Sequence, residues 1–211
     1  MKINNAKTNW VYLGLLLGLC LVPLLAGFHR LWLIGLQSSE ADNRRFLLSP
    51  LPVIVHIISM AIYAPLGATQ VVPYLRQRWQ RFHRKIGVIL VITGVLVGVS
   101  GLWMTQMYPR VGHDGLAVYI FRWIAGMGIL YTLTKSLFQL YRKKYQSHGD
   151  WMIRSYAIAM AAGTQVFTHI PLLVFPDLQG ETGRAIAMGS AWCLNLAFAE
   201  WIIKNNKRSI I

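Results

Sequence analysis

Acidic side chains are nearly missing from this sequence: seven Asp and Glu stand against 21 Lys and Arg in 211 residues. Charge of either sign is thin at 13%, against about 25% in an ordinary soluble domain, so the chain cannot clothe a water-facing globule. A net charge of +14 argues for nucleic acid only on a soluble surface, and here the basic residues sit in short loops between apolar stretches. Nucleic acid is therefore not an expected partner. Cysteine is scarce too. Cys20 and Cys193 fall inside apolar stretches with no neighbour at metal-ligand spacing, which excludes a disulfide framework and leaves packing roles. No Walker loop, G-x-S-x-G elbow or dinucleotide fingerprint occurs, and no catalytic residue can be assigned from motif. No linker, low-complexity tract or second domain interrupts residues 1–211.

What is present is apolar. Hydrophobic residues make up 55% of the chain, grouped in runs of ~20 that can cross a hydrocarbon core of ~30 Å. The reading is an all-α bundle of six transmembrane helices, at about 9–28, 51–73, 86–107, 116–141, 152–175 and 184–203. The run Trp10–Phe28 is longer than a secretory signal core and ends in Phe-His-Arg without a small-residue cleavage site, so a retained first span is expected.

Thirteen Lys and Arg flank one side: Lys2, Lys7, Arg76, Arg78, Arg81, Arg84, Lys85, Arg142, Lys143, Lys144, Lys204, Lys207 and Arg208. Five flank the other: Arg30, Arg44, Arg45, Arg110 and Arg184. This bias places both termini in the cytoplasm of a bacterial inner membrane, with the lipid bilayer as the first partner. Aromatic rings such as Trp10, Tyr74, Trp79, Tyr108, Tyr141 and Trp201 cluster where headgroups are expected. A short interfacial helix is expected around Leu31–Leu36, in an outer loop of about 29–50. Pro65 reads as a kink, and no span looks broken by Gly and Pro at mid-depth, which leaves a transporter reading without support.

Ionisable groups at membrane depth are costly and are functional candidates by default. At ~1.5 Å rise per residue, His56, Arg122 and His169 lie ~7–10 Å below the outer ends of their spans. His83 with Arg84, and His148 with Arg154, form an inner set at the cytoplasmic ends of the third and fifth spans. On a continuous helix, His148 and His169 lie ~31 Å apart and project within ~60° of one direction. Ala157, Ala161, Ala162 and Gly163 lie between them, and Gly87, Gly94, Gly98 and Gly101 form a second small-residue stripe on the third span.

Two imidazoles can hold a haem iron, small residues admit the flat macrocycle, and arginines pair with its propionates. The expectation is a haem b electron-transfer protein with two iron sites, His56 with His169 and His83 with His148. It would work with a redox partner or a membrane complex. The arrangement resembles that of the di-haem cytochrome b-type ascorbate/ferric reductases. A zinc or copper site from His56, His169, His113 and Asp177 is a further option, without close ligand spacing.

Structural alternatives stand beside each of these. Gly94-x-x-x-Gly98 and Gly14-x-x-x-Gly18 suit helix packing, His83 and His148 could face water or headgroups, and His56 and His169 could be hydrogen-bonded core residues. Arg122 could snorkel or pair with Asp177, and Glu200 could pair with Lys204 at i,i+4. His29 and His113 read as ordinary outer-loop residues, and Lys135 snorkels. On this side the protein is a non-catalytic membrane subunit or assembly factor.

Arg78-Trp79-Gln80 leading into His83, and Lys144-Tyr145-Gln146 leading into His148, form a faint internal echo. The segments His56 through Gln70, Phe82-His83-Arg84-Lys85-Ile86-Gly87, and His148-Gly149-Asp150-Trp151-Met152-Ile153-Arg154-Ser155-Tyr156 resemble a bacterial family of multi-spanning membrane proteins, defined as a domain of unknown function. Its pattern is an early histidine in one span, H-R-x-x-G opening the next, and H-x-x-W-M-x-R-S-Y opening a later one. The resemblance covers about residues 50–175. It implies that His56, His83, Arg84, Gly87, His148, Trp151, Met152 and Arg154 are the family's signature positions. Gly149-Asp150 departs from the basic residue expected after that histidine.

Overall fold

The first helix, α1 (Ala6–Gly35), is one uninterrupted run whose mean hydropathy suits lipid, and it stops where the chain turns left-handed at Gln37 (φ 51°). The amides of Gln37 and Ser38 return to the Ile34 and Leu33 carbonyls, closing the helix end. This structure is a computed structural model that describes residues 6–38, 43–72, 79–110 and 112–208. Lys2, Glu40, Asp42, Tyr74, Arg76 and Arg78 lie outside the described residues. Leu31–Leu36 is not a separate interfacial helix, because nothing breaks the ladder after Phe28; His29 therefore lies on α1. The short helix is instead α2 (Arg44–Leu48).

Ser49 precedes Pro50 at the start of α3 (Pro50–Val71), where the missing proline N–H costs nothing. Next come α4 (Gln80–Met107) and α5 (Leu116–Tyr141). His83 and Arg84 thus sit within the first turns of a helix that starts earlier than its apolar run. Pro65 is carried inside a continuous α3.

The fifth crossing is not one rod. It consists of α6 (Tyr145–Ala159) and α7 (Ala161–Thr168), followed by the single turn α8 (Ile170–Val174), bent by 42° at Met160. A Pro176–Leu178 turn leads into α9 (Glu181–Arg208). Among the described residues there is no strand, and five helices are individually long and apolar enough to span a bilayer. The bent pair makes a sixth, so the fold is an all-α membrane bundle.

Neighbours in sequence pack as neighbours in space: α3 on α4, α4 on α5 and α5 on α6. Helix α9 closes the bundle against α5, α6 and α7, while α1 leans on α3 and α7. The described residues 36–38, 43–49, 108–110, 112–115 and 175–180 gather at one end, the far end. Phe46 meets Tyr108 edge-on at 5.3 Å there, and the Tyr108 hydroxyl donates to the Ser49 carbonyl. The opposite end carries Arg81, Arg84, Lys85 and the basic turn at 142–144, and is termed the basic end.

Tyr63, Leu90 and Leu133 are fully buried at the centre. A Cβ on Gly94 would come within 2.8 Å of the Tyr63 ring, and one on Gly98 within 2.8 Å of Leu130. The glycine stripe of α4 is therefore filled by protein over Gly94 and Gly98, as in helix packing, and is not a cofactor groove there. Gly14, Gly18 and Gly87 meet nothing within 4 Å.

The break at Met160 has an identifiable cause. The bond that would run from the Ala161 N–H to the Ala157 carbonyl is absent, and the Asn195 amide of α9 donates to that carbonyl at 3.1 Å. The Thr164 hydroxyl then donates to the Asn195 Oδ1 at 2.8 Å. A side chain inserted into the ladder bends a helix, and at membrane depth a freed carbonyl needs such a partner. Pro171, which has no N–H, accounts for the later interruption before α8. Asn195→Leu removes the donor and should cost about 1–2 kcal/mol, read as a lower unfolding midpoint in detergent against wild type. An unchanged midpoint would mean that something other than Asn195 holds the break.

Candidate functional site

The residues from His148 to Tyr156 form one helix that grips three others in turn. The His148 Nδ1 lies 2.7 Å from the Ser136 hydroxyl and 3.1 Å from the Ser136 carbonyl of α5. Trp151 meets Tyr131 of α5 edge-on at 5.7 Å. Arg154 lies over the Trp151 ring at 4.6 Å and forks onto Glu200 of α9, with Nε–Oε1 at 2.5 Å and Nη2–Oε2 at 2.9 Å. Ser155 shares a hydrogen bond with the Tyr63 hydroxyl at 3.0 Å, and the Tyr156 hydroxyl donates to the Ala64 carbonyl at 2.9 Å, both on α3. Glu200 thus pairs with Arg154.

The far half of the bundle encloses a cavity of about 430 Å³. Its walls come from all six spans. Pro23, Leu24, Val97 and Ile129 are among its apolar lining, and Arg45, Arg110, Asp114 and Arg122 lie near the mouth. His56 is on this wall, beside Gly101, where a Cβ would stand 3.5 Å from its ring. The bend brings Ala159, Met160, Ala162 and Gly163 onto the same cavity. His169 is not among the lining residues, although Gln165, one turn before it, is.

Three histidines share one tautomer by the logic of their bonds. Ser100 sends its hydroxyl proton to the Leu96 carbonyl at 2.5 Å, so the His56 Nδ1, 3.0 Å from Ser100 Oγ, must be the donor of that pair. The His169 Nδ1 donates to the Gln165 carbonyl at 2.8 Å, and the His148 Nδ1 to the Ser136 carbonyl. An imidazole protonated on Nδ1 keeps its Nε2 lone pair for something else. Of the three, His56 alone lines the cavity.

His148 and His169 do not share a single straight face, because the helix between them is broken at Met160. On its α1 side Gly163 is closely covered: a Cβ there would fall against the Leu19 carbonyl. His83 is part-buried and Arg84 exposed at the basic end. Among the described residues no three His, Cys, Asp or Glu side chains converge as a metal site, so the His56, His169, His113 and Asp177 set is not assembled.

Arg122 pairs with Asp114, not Asp177, at 2.8 Å, and Arg184 of α9 takes the other carboxylate oxygen at 2.5 Å. The Asp114 side chain is 2% exposed, while the two arginines keep about a third of theirs in the open (32% and 35%). Burial alone would raise the Asp114 carboxyl; the two guanidiniums override it and hold it below the ordinary carboxylate value. The sequence reading missed this clamp. Its signal was the position of Asp114 eight residues before Arg122, on the approach to the same helix.

A family model described as DUF2306, predicted membrane protein, matches residues 53–203. No curated protein and no solved structure matches the chain.

Asp114→Asn removes the charge that both arginines share. The expected loss is about 1–3 kcal/mol, below the ~3–5 kcal/mol of a fully buried pair because both arginines stay partly solvated. The native carboxyl titrates below its unfolded value, so its stabilisation is present above the unfolded value near ~3.9 and is lost as pH falls through the lower native one. Unfolding midpoints of wild type and variant, measured against pH, should converge on acidification. A constant gap across that range would deny the clamp.

Proposed function

The chain belongs to the DUF2306 family of predicted membrane proteins, and from that premise we propose that it is a multi-pass redox protein whose far-end cavity takes haem b, with His56 as the residue that would hold it. The observation that carries the reading is the bonding of His56. Its Nδ1–H is fixed by Ser100, which fixes the tautomer and the ring plane as partners of ligating imidazoles do, and its ring lines the cavity. The cavity is within the ~300–1,000 Å³ range of cofactor sites. Its long apolar wall suits a macrocycle, and Arg110, exposed over the Tyr119 ring at 5.1 Å, suits a propionate. Haem b, when bound, supplies one-electron transfer. The chain's own part is to orient one imidazole, exclude water with Pro23, Leu24 and Ile129, and present a charged mouth to a redox partner.

This reading keeps one of the two expected haem sites. Arg122 and Arg154 are held by Asp114 and Glu200, and His148 is tied to Ser136, which supports a structural role for those groups and for most of the signature helix. The same observation favours a second reading, a non-catalytic subunit whose signature residues hold the bundle together. The basic end faces the cytoplasm of a bacterial inner membrane in either case, by the bias of Lys and Arg.

Protein purified from cells supplied with haem should show a b-type α-band in its reduced-minus-oxidised spectrum, near one haem per chain by pyridine haemochrome. His56→Ala should abolish the band, while His148→Ala should leave its position unchanged. A colourless wild type, or a band indifferent to His56, would leave the subunit reading. An alkaline phosphatase fused after the last residue should be inactive in cells; an active fusion would reverse the orientation.

A further inference from the structure

Below His56 the same cavity changes character. Cys20 of α1 and Met160 at the bend come from positions 140 residues apart, yet their sulfurs lie 3.7 Å apart, both side chains buried. Each sits near the middle of its crossing, Cys20 within Trp10–Gly35 and Met160 between the two halves of the bent pair. His56, in contrast, is six residues into α3, so the sulfurs mark a deeper level than the imidazole. Both line the cavity, and so do Met60, Met104 and Met188. Half of the chain's eight methionines and its one buried cysteine therefore face a single space, with Met104 in the part of α4 nearest the mouth.

A sulfur contact of this length is also ordinary packing. What distinguishes this one is the open volume beside it and the thioethers that share that volume. Two sulfurs at 3.7 Å can both reach one ion at the ~2.3 Å typical of metal–thiolate bonds, in a bent arrangement that leaves a third side open toward the cavity. Met60, one turn below His56 on α3, lines the same cavity and packs against the cluster containing Cys20 and Met160, which makes it the candidate for that side.

We propose that the floor of the cavity is a cuprous-ion site formed by the Cys20 thiolate and the Met160 thioether, with Met60 as third donor. The donor set selects the metal: thiolate and thioether favour Cu(I), whereas zinc prefers the nitrogen, thiolate and carboxylate sets that do not converge here among the described residues. Depth selects it as well. One thiolate neutralises one Cu(I), so the complex adds no net charge at a membrane level where charge is costly, while a divalent ion would leave a positive charge behind. On binding, the Cys20 S–H bond breaks, an S–Cu bond forms and one proton leaves to solvent, with no change of oxidation state. The thiol meanwhile donates to the Leu16 carbonyl at 3.1 Å, a bond the thiolate gives up.

This site does not rest on the haem reading, since its donors are different groups. The test is an anaerobic titration of haem-free protein with Cu(I) supplied as its bicinchoninate complex. Wild type should withdraw one equivalent, with one proton released. Cys20→Ser should weaken binding by more than about 100-fold, the top of the range that loss of a mere supporting group costs. Met160→Leu should weaken it by roughly tenfold or more, while Cys193→Ser and His56→Ala should match wild type. X-ray absorption of the wild-type complex, which needs no variant to fold, should give a sulfur-only first shell. Failure to withdraw copper, retention by Cys20→Ser or by Met160→Leu, dependence on Cys193, or nitrogen in the first shell would each overturn the assignment. Loss in His56→Ala alone would instead place copper at the upper imidazole.

Discussion

A bilayer interior offers no water to a freed backbone carbonyl, so a helix can break there only where another group takes over the hydrogen bond. Asn195 does this for Ala157, and Thr164 completes the exchange. The far half of the bundle depends on that substitution. With the break in place, α7 leans by 42° and seats Gly163 against the backbone of α1, which is otherwise the least embedded of the spans. The cavity opens beside the break, and Ala159, Met160 and Ala162 form part of its wall.

The two ends of the molecule divide the work. Toward the basic end, the Tyr63, Ser155, Tyr156 and Ser136 bonds and the Arg154–Glu200 fork fasten α6 to three neighbours. Toward the far end, the Asp114 clamp joins the approach to α5 with α5 and α9, and a large apolar volume is kept open below it. The bundle is thus cross-linked by polar contacts along α6 and rimmed by charge around the cavity at the far end.

The helical, membrane-spanning character was legible in the sequence because lipid demands long apolar runs and leaves them intact. The bend at Met160 was not legible. No glycine or proline occupies that position, and its cause, Asn195, lies 35 residues further on. Individual site residues were visible as costly ionisable groups, but their partners were not. Arg122 was read toward Asp177 although Asp114 stood eight residues before it, and the Arg184 and Arg154–Glu200 contacts join helices whose proximity no spacing along one helix shows. His56 was singled out from its depth alone; the bond to Ser100 that fixes its tautomer depends on the packing of α3 against α4. The glycine stripe of α4 was visible as a stripe, while its filling by Tyr63 and Leu130 follows from side chains on other spans.

The central claim is that the far-end cavity holds a specific molecule against His56. Native mass spectrometry of the protein released from nanodiscs, comparing wild type with Gly101→Leu, tests it most directly, because a leucine there extends into the space beside the His56 ring. The account predicts a stoichiometric adduct of haem mass on wild type that is missing from a folded Gly101→Leu. Bare wild-type protein, or an identical adduct on both, would contradict it.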